Sequence, residues 1–497
     1  MAARYVTELV GALERYGDRP AIGAGPRVLG FSEVLDAVHR LAGALVDAGA
    51  GRGSGLACVT GGNRPEALLV RIAAHLLGAR LTQVVAGPAL HGLEFILLDC
   101  LPDLVVHDVP VPETGVPRLG LDDLLAHAAR RAPAEVPVRA REEDVARVTY
   151  TGGTTGRPKG VASTFGAMAA RDGRRGAAWT ESVHLSVTSL AQRAGGRCLE
   201  QLRAGGRVEI LDPFTPGEFV AACRRLGRVS TYLTVPMVYR LLDDPATAGG
   251  IPGLEAVSYG ASPILPERLR EAVTRWGGRW RQGYGMNEAA VIARLTPADH
   301  DAAVTGRPGL LASVGRPAAG VEVQVRDERD AVLPAGCTGE LWIRSAAMMT
   351  GYWNQPGLTA EVLRDGWLRT GDLGHADGEG YLYLDDRSKD VVIVDGVNIY
   401  SLPVEAELAR HPAVAQAVVV GRTSATTGEE VCAFLVPAPG HIPSGAAAAE
   451  ACERVARELA PAHRPTAVFW EREIPLTDRG KPDKRRLRAR ASAALHP

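Results

Sequence analysis

Short apolar segments that alternate with helical patterns constrain the fold of this chain most strongly. Residues 56–60, 81–85 and 104–107 have the length and apolar content of buried strands. Between them, residues 65–77 and 89–98 have the apolar spacing expected of helices. The same alternation resumes beyond residue 200. This order predicts an α/β fold in which largely parallel sheets are covered by helices.

A change of period marks a second region. From Val321 onward apolar residues alternate with polar ones, as in half-buried antiparallel strands. The charged residues 385–390 then precede the apolar residues 391–394, and we place a domain boundary there. A chain of 497 residues exceeds what one core usually supports. We therefore expect a large N-terminal domain, residues 1–385, and a small, mobile α+β C-terminal domain, residues 386–497.

Composition excludes several classes of function. Lysine and arginine (56) balance aspartate and glutamate (57), so there is no basic excess that would indicate nucleic-acid binding. The seven cysteines are scattered and never in C-x-x-C spacing, which argues against a disulfide framework and a structural zinc site. No apolar run approaches the length of a membrane span, and the N-terminus lacks the apolar core of a signal peptide. We expect a soluble, cytoplasmic protein, whose oligomeric state the sequence does not indicate.

A glycine-rich stretch is the first candidate for chemistry. Residues 150–160 read Tyr-Thr-Gly-Gly-Thr-Thr-Gly-Arg-Pro-Lys-Gly, so backbone N–H groups, hydroxyls and the Lys159 ammonium can converge on a phosphate. The donors would be Thr151, Gly152, Gly153, Thr154, Thr155 and Gly156. The lysine spacing differs from the Walker pattern, which argues against a P-loop NTPase. Taken alone, such a loop is more often a surface turn.

Three later stretches make the chemical interpretation stronger. Tyr284-Gly285-Met286-Asn287-Glu288 offers an aromatic face for a purine and a carboxylate for a divalent metal. Asp372, in Arg-Thr-Gly-Asp-Leu-Gly, lies on a glycine turn where it can accept from both hydroxyls of a ribose. Lys481 follows a glycine in Pro-Leu-Thr-Asp-Arg-Gly-Lys, and by itself it would be a solvated cation.

In their order, six motifs of this chain resemble those of the adenylate-forming superfamily. They read Y-T-G-G-T-T-G-R-P-K-G, Y-G-M-N-E, G-E-L-W-I-R, R-T-G-D-L-G, D-R-S-K-D-V-V-I-V-D-G-V-N-I-Y and P-L-T-D-R-G-K. The superfamily includes acyl-CoA synthetases, adenylation domains of nonribosomal peptide synthetases and luciferases. Each motif is weak alone, but six in the superfamily's order are highly specific. The resemblance extends from about residue 10 to about residue 488.

The resemblance implies a two-step, ATP-dependent and AMP-forming ligase. A carboxylate attacks the α-phosphate of ATP with Mg²⁺, and a thiol then takes the acyl group from the acyl-adenylate. The thiol belongs to coenzyme A or to the phosphopantetheine of a carrier protein. No carrier module follows residue 488, so we expect free coenzyme A or a separate acyl carrier protein as the partner.

The resemblance also implies roles for individual residues. The loop from Thr151 with Lys159 would hold the departing phosphates, and Glu288 would bind Mg²⁺. Lys481 would bridge the attacking carboxylate and the α-phosphate. A hinge at Lys389 would let the small domain rotate and present Gly396 to the pantetheine arm. The remaining implied nucleotide contacts flank adenine, adjoin the α-phosphate or hold the ribose; they are Gly260, Ala261, Tyr284, Gly285, Asn287, Asp372 and Arg387.

Departures from the superfamily's pattern bear on the substrate. Gly152 replaces a usual serine, and Asn287 replaces a common threonine while keeping a donor for the α-phosphate. Gln192 stands where acyl-CoA synthetases often carry a histidine or aromatic gate and where α-amino-acid-activating domains carry an aspartate. The missing aspartate argues against a standard α-amino acid. Arg193 either offers a cation to a polar substrate or is a surface arginine.

Side chains beside the matched motifs predict the character of the substrate pocket. Together with Gln192 and Arg193 we assign Met237, Tyr259, Met286 and Ala290 to it, which describes a mixed apolar and aromatic cavity. We therefore expect a compact aromatic or short carboxylic acid as the small-molecule substrate.

Four hypotheses follow in order. The first is an acid–CoA ligase, and the second is a stand-alone adenylation enzyme that loads a separate carrier protein in a biosynthetic pathway. The third is activation of a non-carboxylate nucleophile such as nitrite, as in the diazotising members of the superfamily. The fourth is a binding protein without turnover, which the joint presence of Lys159, Glu288, Asp372 and Lys481 disfavours.

Overall fold

The computed structural model describes residues 1–86, 92–132, 134–151, 158–172, 181–424, 426–477 and 480–493. Its α-helices, in chain order, are α1 (Arg4–Tyr16), α2 (Phe31–Asp47), α3 (Pro65–Leu77), α4 (Leu93–Cys100), α5 (Leu121–Arg130), α6 (Phe165–Asp172), α7 (Arg193–Arg203), α8 (Pro216–Leu226), α9 (Val235–Leu242), α10 (Pro266–Trp276), α11 (Pro297–Thr305), α12 (Pro356–Val362), α13 (Ser401–Leu408), α14 (Gly445–Glu458) and α15 (Lys484–Ala493).

The strands of the first half are β1 (Pro20–Ala24), β2 (Arg27–Gly30), β3 (Gly55–Thr60), β4 (Arg80–Val85), β5 (Leu104–His107), β6 (Arg118–Gly120), β7 (Val145–Thr151), β8 (Lys159–Thr164), β9 (Val183–Ser186), β10 (Val208–Ile210) and β11 (Val229–Thr234). Those of the second half are β12 (Leu254–Gly260), β13 (Arg279–Met286), β14 (Ala290–Leu295), β15 (Arg316–Pro317), β16 (Glu322–Arg326), β17 (Gly339–Arg344), β18 (Gly351–Tyr352), β19 (Leu363–Arg364), β20 (Trp367–Ala376), β21 (Leu382–Arg387), β22 (Val392–Val394), β23 (Val397–Ile399), β24 (Val414–Ser424), β25 (Gly428–Pro437) and β26 (Ala467–Trp470).

Among the described residues these strands form four sheets. A seven-stranded sheet has the order β18-β8-β7-β4-β3-β5-β6, and a nine-stranded sheet has the order β15-β14-β13-β12-β11-β9-β10-β1-β2. A five-stranded antiparallel sheet contains β16, β17, β19, β20 and β21. The small domain has its own sheet, β23-β22-β25-β24 with β26 beside β25. The predicted fold class, a large α/β domain with a small α+β domain, is confirmed.

Local signals in the sequence explain why several elements match their predicted bounds. Helix α3 has Pro65 in its first turn, where no intrahelical N–H donor is needed, and ends at Gly78 in the left-handed region with φ 75°. Strand β5 also has the predicted bounds. Helix α4 begins at Leu93, later than predicted, and residues 89 and 90 lie outside the described part of the chain.

The connection to the small domain follows β21. This strand pairs with β20 of the large domain as far as Arg387, which lies opposite Asp372. The boundary predicted after residue 385 therefore falls inside a strand. Ser388, Lys389 and Asp390 make the turn that leads into β22.

The nine-stranded sheet has two chemically different faces at β11, β12 and β13. One face carries Leu233, Val257 and Trp280, which pack with α9 and α10 in an apolar core. The opposite face carries Tyr232, in register with Ser258, and is covered by α7. Because side chains alternate across a strand, a single set of strands supplies both the core and a polar wall.

No helix in the described part of the chain combines the length and apolar character needed to cross a bilayer. Six of the seven cysteines are buried and Cys337 is exposed.

Candidate active site

A cleft of about 2090 Å³ lies between the large domain and the small domain. The ends of β7, β12 and β13 contribute Thr151, Gly260 and Tyr284 to its lining, and the small domain contributes Lys481. The carboxyl ends of parallel strands are where open α/β sheets bind ligands. The cleft therefore brings together residues that are more than 300 positions apart in the sequence.

Tyr284, Asp372 and Arg387 form a connected group in this cleft. The Tyr284 hydroxyl donates to Asp372 Oδ2 at 2.6 Å, and Arg387 Nε lies 2.8 Å from Asp372 Oδ1. Burial, together with the Asp372 charge, raises the pKa of Tyr284 well above its usual value, so the hydroxyl keeps its proton. The Asp372 charge likewise raises the pKa of Arg387. Asp372 is thus held as an acceptor beside an aromatic ring, as ribose binding next to adenine requires.

Glu288 lies at the tip of the tight hairpin that joins β13 to β14. Gly285 is needed there, because a Cβ on it would lie 1.9 Å from the Ala290 carbonyl oxygen. Ala290 itself has φ 62°, an uncommon value for a residue with a side chain. Glu288 is 7% exposed, and Tyr352 donates to its Oε1 at 3.1 Å. The hairpin therefore fixes one carboxylate in the cleft.

This carboxylate suits a magnesium ion that takes its other ligands from phosphate and water. Among the described residues, no group of three or more His, Cys, Asp or Glu side chains is placed to hold a metal by itself. Mg²⁺ in phosphate-transfer sites is usually held by one or two carboxylates together with substrate oxygens. Glu288 fits that role, whereas a permanent protein-only metal site would need more ligands.

Strands β7 and β8 flank the glycine-rich loop, and Thr151 and Pro158 on either side of it line the cleft. Thr151 and Lys159 lie opposite each other in the hairpin register, so the two ends of the loop are held together. The Lys159 ammonium lies 5.4 Å from the ring centre of Tyr352, the tyrosine that donates to Glu288. Gly152, Gly153, Thr154, Thr155 and Gly156 lie outside the described residues.

Gly260 and Ala261 form a close approach of backbone at the end of β12. Gly260 lies opposite Gly283 in the adjacent strand, and a Cβ on Gly260 would lie 2.6 Å from the Gly283 carbonyl oxygen. Ala261 follows with φ 76°. Gly260 and Ala261 line the cleft together with Tyr284. Asn287 lines the same cleft, and its carbonyl accepts from Arg171 at 3.1 Å.

Lys481 reaches the cleft on a turn of the small domain. Thr477 N–H donates to the Lys481 carbonyl at 2.7 Å, and a Cβ on Gly480 would lie 4.0 Å from Thr234 Oγ1 at the end of β11. The turn therefore lies directly against the large domain. Lys389 lines the cleft as well.

Gly396 lies elsewhere, on an exposed turn between β22 and β23 with φ 78°. It does not contribute to the cleft in this arrangement of the domains. Its predicted contact with a pantetheine arm needs another orientation of the small domain and stays a prediction.

Five of the six predicted pocket residues line the cleft: Gln192, Arg193, Met237, Met286 and Ala290. Tyr259 does not, and its assignment to the pocket is corrected. Tyr259 lies on the apolar face of the sheet, 1% exposed, where its hydroxyl and His300 Nε2 are 2.9 Å apart. Its neighbours in β12, Ser258 and Gly260, are the ones that face the cleft side.

The character of the pocket also differs from the expected apolar and aromatic lining. Arg193 and Arg197 lie over the ring of Tyr232, with guanidinium carbons 5.8 and 5.0 Å from its centre. Burial, with Arg193 nearby, lowers the pKa of Arg197 to about 10. Burial lowers the pKa of His184, on adjacent β9, to about 3, so that ring is neutral. One wall of the pocket is therefore cationic.

Arg197 and Tyr232 were missed in the sequence. A signal for them exists: Arg193 and Arg197 are four residues apart and so share a helix face. Ser230, Tyr232 and Thr234 also give buried β11 one face on which every residue is polar, whereas its other face carries Val229, Thr231 and Leu233. A buried strand with a polar period of two indicates a wall that faces something other than core.

Two family models match this chain. One, described as AMP-binding enzyme, matches residues 10–353, and the other, described as AMP-binding enzyme C-terminal domain, matches residues 403–481. Medium/long-chain-fatty-acid–CoA ligase FadD8 of Mycobacterium tuberculosis is 33% identical over 97% of this chain and 89% of its own length. Feruloyl-CoA synthase of an Amycolatopsis species is 31% identical over 95% of each chain.

A solved structure agrees with these relatives. The amide bond synthetase McbA from Marinactinospora thermotolerans has a TM-score of 0.86 and 32% identity, covering 98% of this chain and all of that one. The matches to CoA ligases and to both domain models confirm the predicted superfamily and the prediction of an AMP-forming acid–thiol ligase at the level of the family. The chain belongs to the AMP-binding enzyme family.

Proposed function

We propose that this protein activates a carboxylic acid with ATP and Mg²⁺, releasing pyrophosphate, and then transfers the acyl group from AMP to coenzyme A. One observation carries the proposal: Tyr284, Glu288, Asp372 and Lys481 line a single cleft although they come from three separate segments of the chain. A Gly-rich turn, a carboxylate or a lysine alone would be unremarkable, but together they match the needs of adenylation.

The nucleotide is bound by groups that the fold already orients. Asp372 accepts from the ribose hydroxyls while Arg387 balances its charge at 2.8 Å. Tyr284 and the Gly260–Ala261 turn flank the adenine. Glu288 binds Mg²⁺, which neutralises phosphate charge when present. Thr151, Lys159 and the loop between them hold the phosphates that leave.

Lys481 supports the attack of one anion on another. Negative charge accumulates as the carboxylate approaches the α-phosphate, so a fixed cation at that point lowers the barrier. Lys481 lies on the small domain, and its turn contacts the large domain next to Thr234. Rotation about the Lys389 segment withdraws this cation after adenylation and opens a path for the thiol.

Pyrophosphate exchange tests the first half of the reaction. Carboxylate-dependent exchange of labelled pyrophosphate into ATP is measured over aromatic, aliphatic, dicarboxylic and amino acids, with nitrite as a non-carboxylate probe. Lys481→Ala should lower exchange by 100-fold or more, whereas Arg457→Ala, an exposed cation on α14, should leave it within twofold. Exchange with nitrite alone, or with no compound, would contradict acid activation.

The acceptor is tested separately, on the acid that supports exchange. Coenzyme A, a phosphopantetheinylated carrier protein and a primary amine are compared as acceptors. The similarity to an amide bond synthetase is the reason to include the amine. Saturation by coenzyme A supports the proposal. Saturation by the carrier protein or by the amine, without turnover of coenzyme A, would show that coenzyme A is not the acceptor. The proposed activation of the acid would still hold.

A further inference from the structure

Two arginines on α7 form a cationic wall at the far end of the pocket. Arg193 and Arg197 are separated by one helical turn and both line the cleft, with Tyr232 of β11 beneath them. We call this group, Arg193, Arg197 and Tyr232, the arginine wall. The reaction proposed above needs cations near the phosphates, and the arginine wall is not part of that machinery.

The arginine wall is held in place from the sheet side. Arg197 Nη1 donates to Ser258 Oγ at 3.3 Å, and a Cβ on Gly283 would lie 3.4 Å from Arg193 Nη2. Both guanidinium groups lie on the Tyr232 ring, which favours a cation electrostatically. The side chains are thus oriented by contacts that use only part of their donor capacity.

Donors remain that the described protein does not satisfy. The Nε atoms of Arg193 and Arg197 are buried and have no hydrogen-bond partner among the described residues. Buried polar groups in folded proteins nearly always have a partner, so each guanidinium keeps hydrogen-bonding capacity that the described residues do not use. A guanidinium presents a planar fork of donors that matches a carboxylate.

The charge around the arginine wall is positive. Glu200, one turn beyond Arg197, stabilises the charged form of Arg197, while Arg193 and Arg294 oppose it. Among the described residues no carboxylate forms an ion pair with either arginine of the wall. His184, on the same side of the sheet, is neutral. Glu200 alone does not balance the cations, so an anion that binds there gains from all of them.

The spacing of residues along β11 gives a length scale for that anion. Tyr232 lies two residues before Thr234 on β11, and Thr234 is the residue that the Lys481 turn approaches. Two residues along a strand span roughly 7 Å. A substrate whose carboxylate reacts near Thr234 therefore places a group that far along its length at the arginine wall.

We propose that the acid activated here carries a second anionic group, and that Arg193 and Arg197 bind it while the first carboxylate reacts beside Lys481. The substrate class is a compact dicarboxylic acid, with an aromatic or short aliphatic spacer. This inference rests on the proposed acid activation and extends it to the far end of the substrate. The wall thereby selects the substrate and orients it, and it takes no part in the chemistry.

Pairs of compounds that differ in one charge test the inference. Glutarate, adipate and terephthalate are compared with their monomethyl esters in pyrophosphate exchange, in wild type, Arg193→Gln, Arg197→Gln and Arg197→Lys. Arg224→Gln, an exposed arginine on α8, is the control. Thermal unfolding of each variant shows that a loss of activity is not a loss of fold.

In wild type, kcat/KM for at least one diacid should exceed that for its monoester by roughly 100-fold, as expected for a charge-assisted bidentate contact in a partly buried site. Arg197→Gln should lower this diacid-to-monoester ratio, mainly by raising the KM for the diacid. Arg197→Lys should restore part of the ratio, and Arg224→Gln should leave it unchanged. A wild-type preference for every monoester over its diacid would overturn the inference. An equal loss for diacid and monoester in a folded Arg197→Gln protein would also overturn it.

Direct binding separates this inference from the proposed function. If no acid supports exchange, the proposed acid activation is wrong. Titration calorimetry of the three diacids in the presence of AMP then tests whether the arginine wall binds anions. Binding that disappears in Arg197→Gln supports an anion site. Absence of binding for all three diacids overturns it.

Discussion

At the scale of single residues, Asp372 makes the most informative contacts, since it joins Tyr284 in the cleft to Arg387 at the connection between the domains. Asp372→Asn keeps the shape of the side chain but removes the charge that pairs with Arg387. It also replaces a carboxylate, which only accepts hydrogen bonds, by an amide that has one acceptor and one donor group. We expect the KM for ATP in pyrophosphate exchange to rise at least 10-fold. Asp330→Asn, which breaks only an exposed pair with Arg364, should leave this KM unchanged. An unaltered KM in Asp372→Asn would contradict the ribose assignment.

His184 gives a prediction about pH at the same scale. Its pKa is about 3 in the folded protein, below the ordinary value of 6.5, because the ring is buried. Between these values the unfolded chain binds a proton that the folded protein does not, so the free energy of unfolding falls as the pH decreases. Between pH 7 and pH 5 this effect should lower the free energy of unfolding of the wild type by about 2 kcal/mol. In His184→Asn this part of the decrease should be absent.

Urea unfolding at both pH values measures this difference. His441→Gln, which replaces an exposed histidine, serves as the control. Identical pH dependence in wild type and His184→Asn would show that burial of His184 does not set this part of the stability.

At the scale of elements, the hairpin from β13 to β14 fixes Glu288. Gly285→Ala would place a methyl group 1.9 Å from the Ala290 carbonyl oxygen. The nearest atoms all belong to the backbone of Ala290 and Val291, so the hairpin must open. We expect a loss of more than 2 kcal/mol in unfolding free energy or, if the fold adapts, a 100-fold loss of exchange. Gly357→Ala in α12, where nothing lies within 4 Å, should be neutral or stabilising by up to about 1 kcal/mol. Activity and stability like wild type in Gly285→Ala would contradict this account of the hairpin.

Elements were also what the sequence predicted best, because their signals are local. The bounds of α3 follow from an apolar period together with Pro65 and Gly78, all within fourteen residues of each other. Tyr259 shows where local signals end. The period of two separates it from Ser258, but only the packing of α10 and α7 on opposite sides decides which of the two faces the cleft.

At the scale of the whole molecule, we predict that the position of the small domain controls which half of the proposed reaction is possible. Cysteines placed at 234 and 480 test this, since a Cβ added at Gly480 would lie 4.0 Å from Thr234 Oγ1, near enough for a disulfide to form after a small adjustment of the turn. The oxidised Thr234→Cys, Gly480→Cys protein should retain most of its pyrophosphate exchange and lose acyl transfer at least 10-fold. Reduction should restore transfer.

The two single-cysteine variants control for the substitutions themselves. Equal activity of the oxidised and reduced double variant in acyl transfer would show that the small domain does not need to move. The motif around Lys481 predicted which residue enters the cleft. The position of the Lys481 turn beside Thr234 was not predictable from the sequence. It brings together residues almost 250 positions apart, and no local sequence pattern marks the interface between them.

The two faces of β11, β12 and β13 have a consequence for how this protein can evolve. The face with Val257 and Trp280 packs into the apolar core, whereas the face with Tyr232, together with the short helix α7, is the one to which we assign the choice of substrate. Under this assignment, mutations at positions 192, 193 and 197 would change the acid while leaving the apolar core around Val257 and Trp280 unaltered. A lineage built on this scaffold can diversify its metabolic role through a few codons, while the nucleotide machinery stays under constant selection.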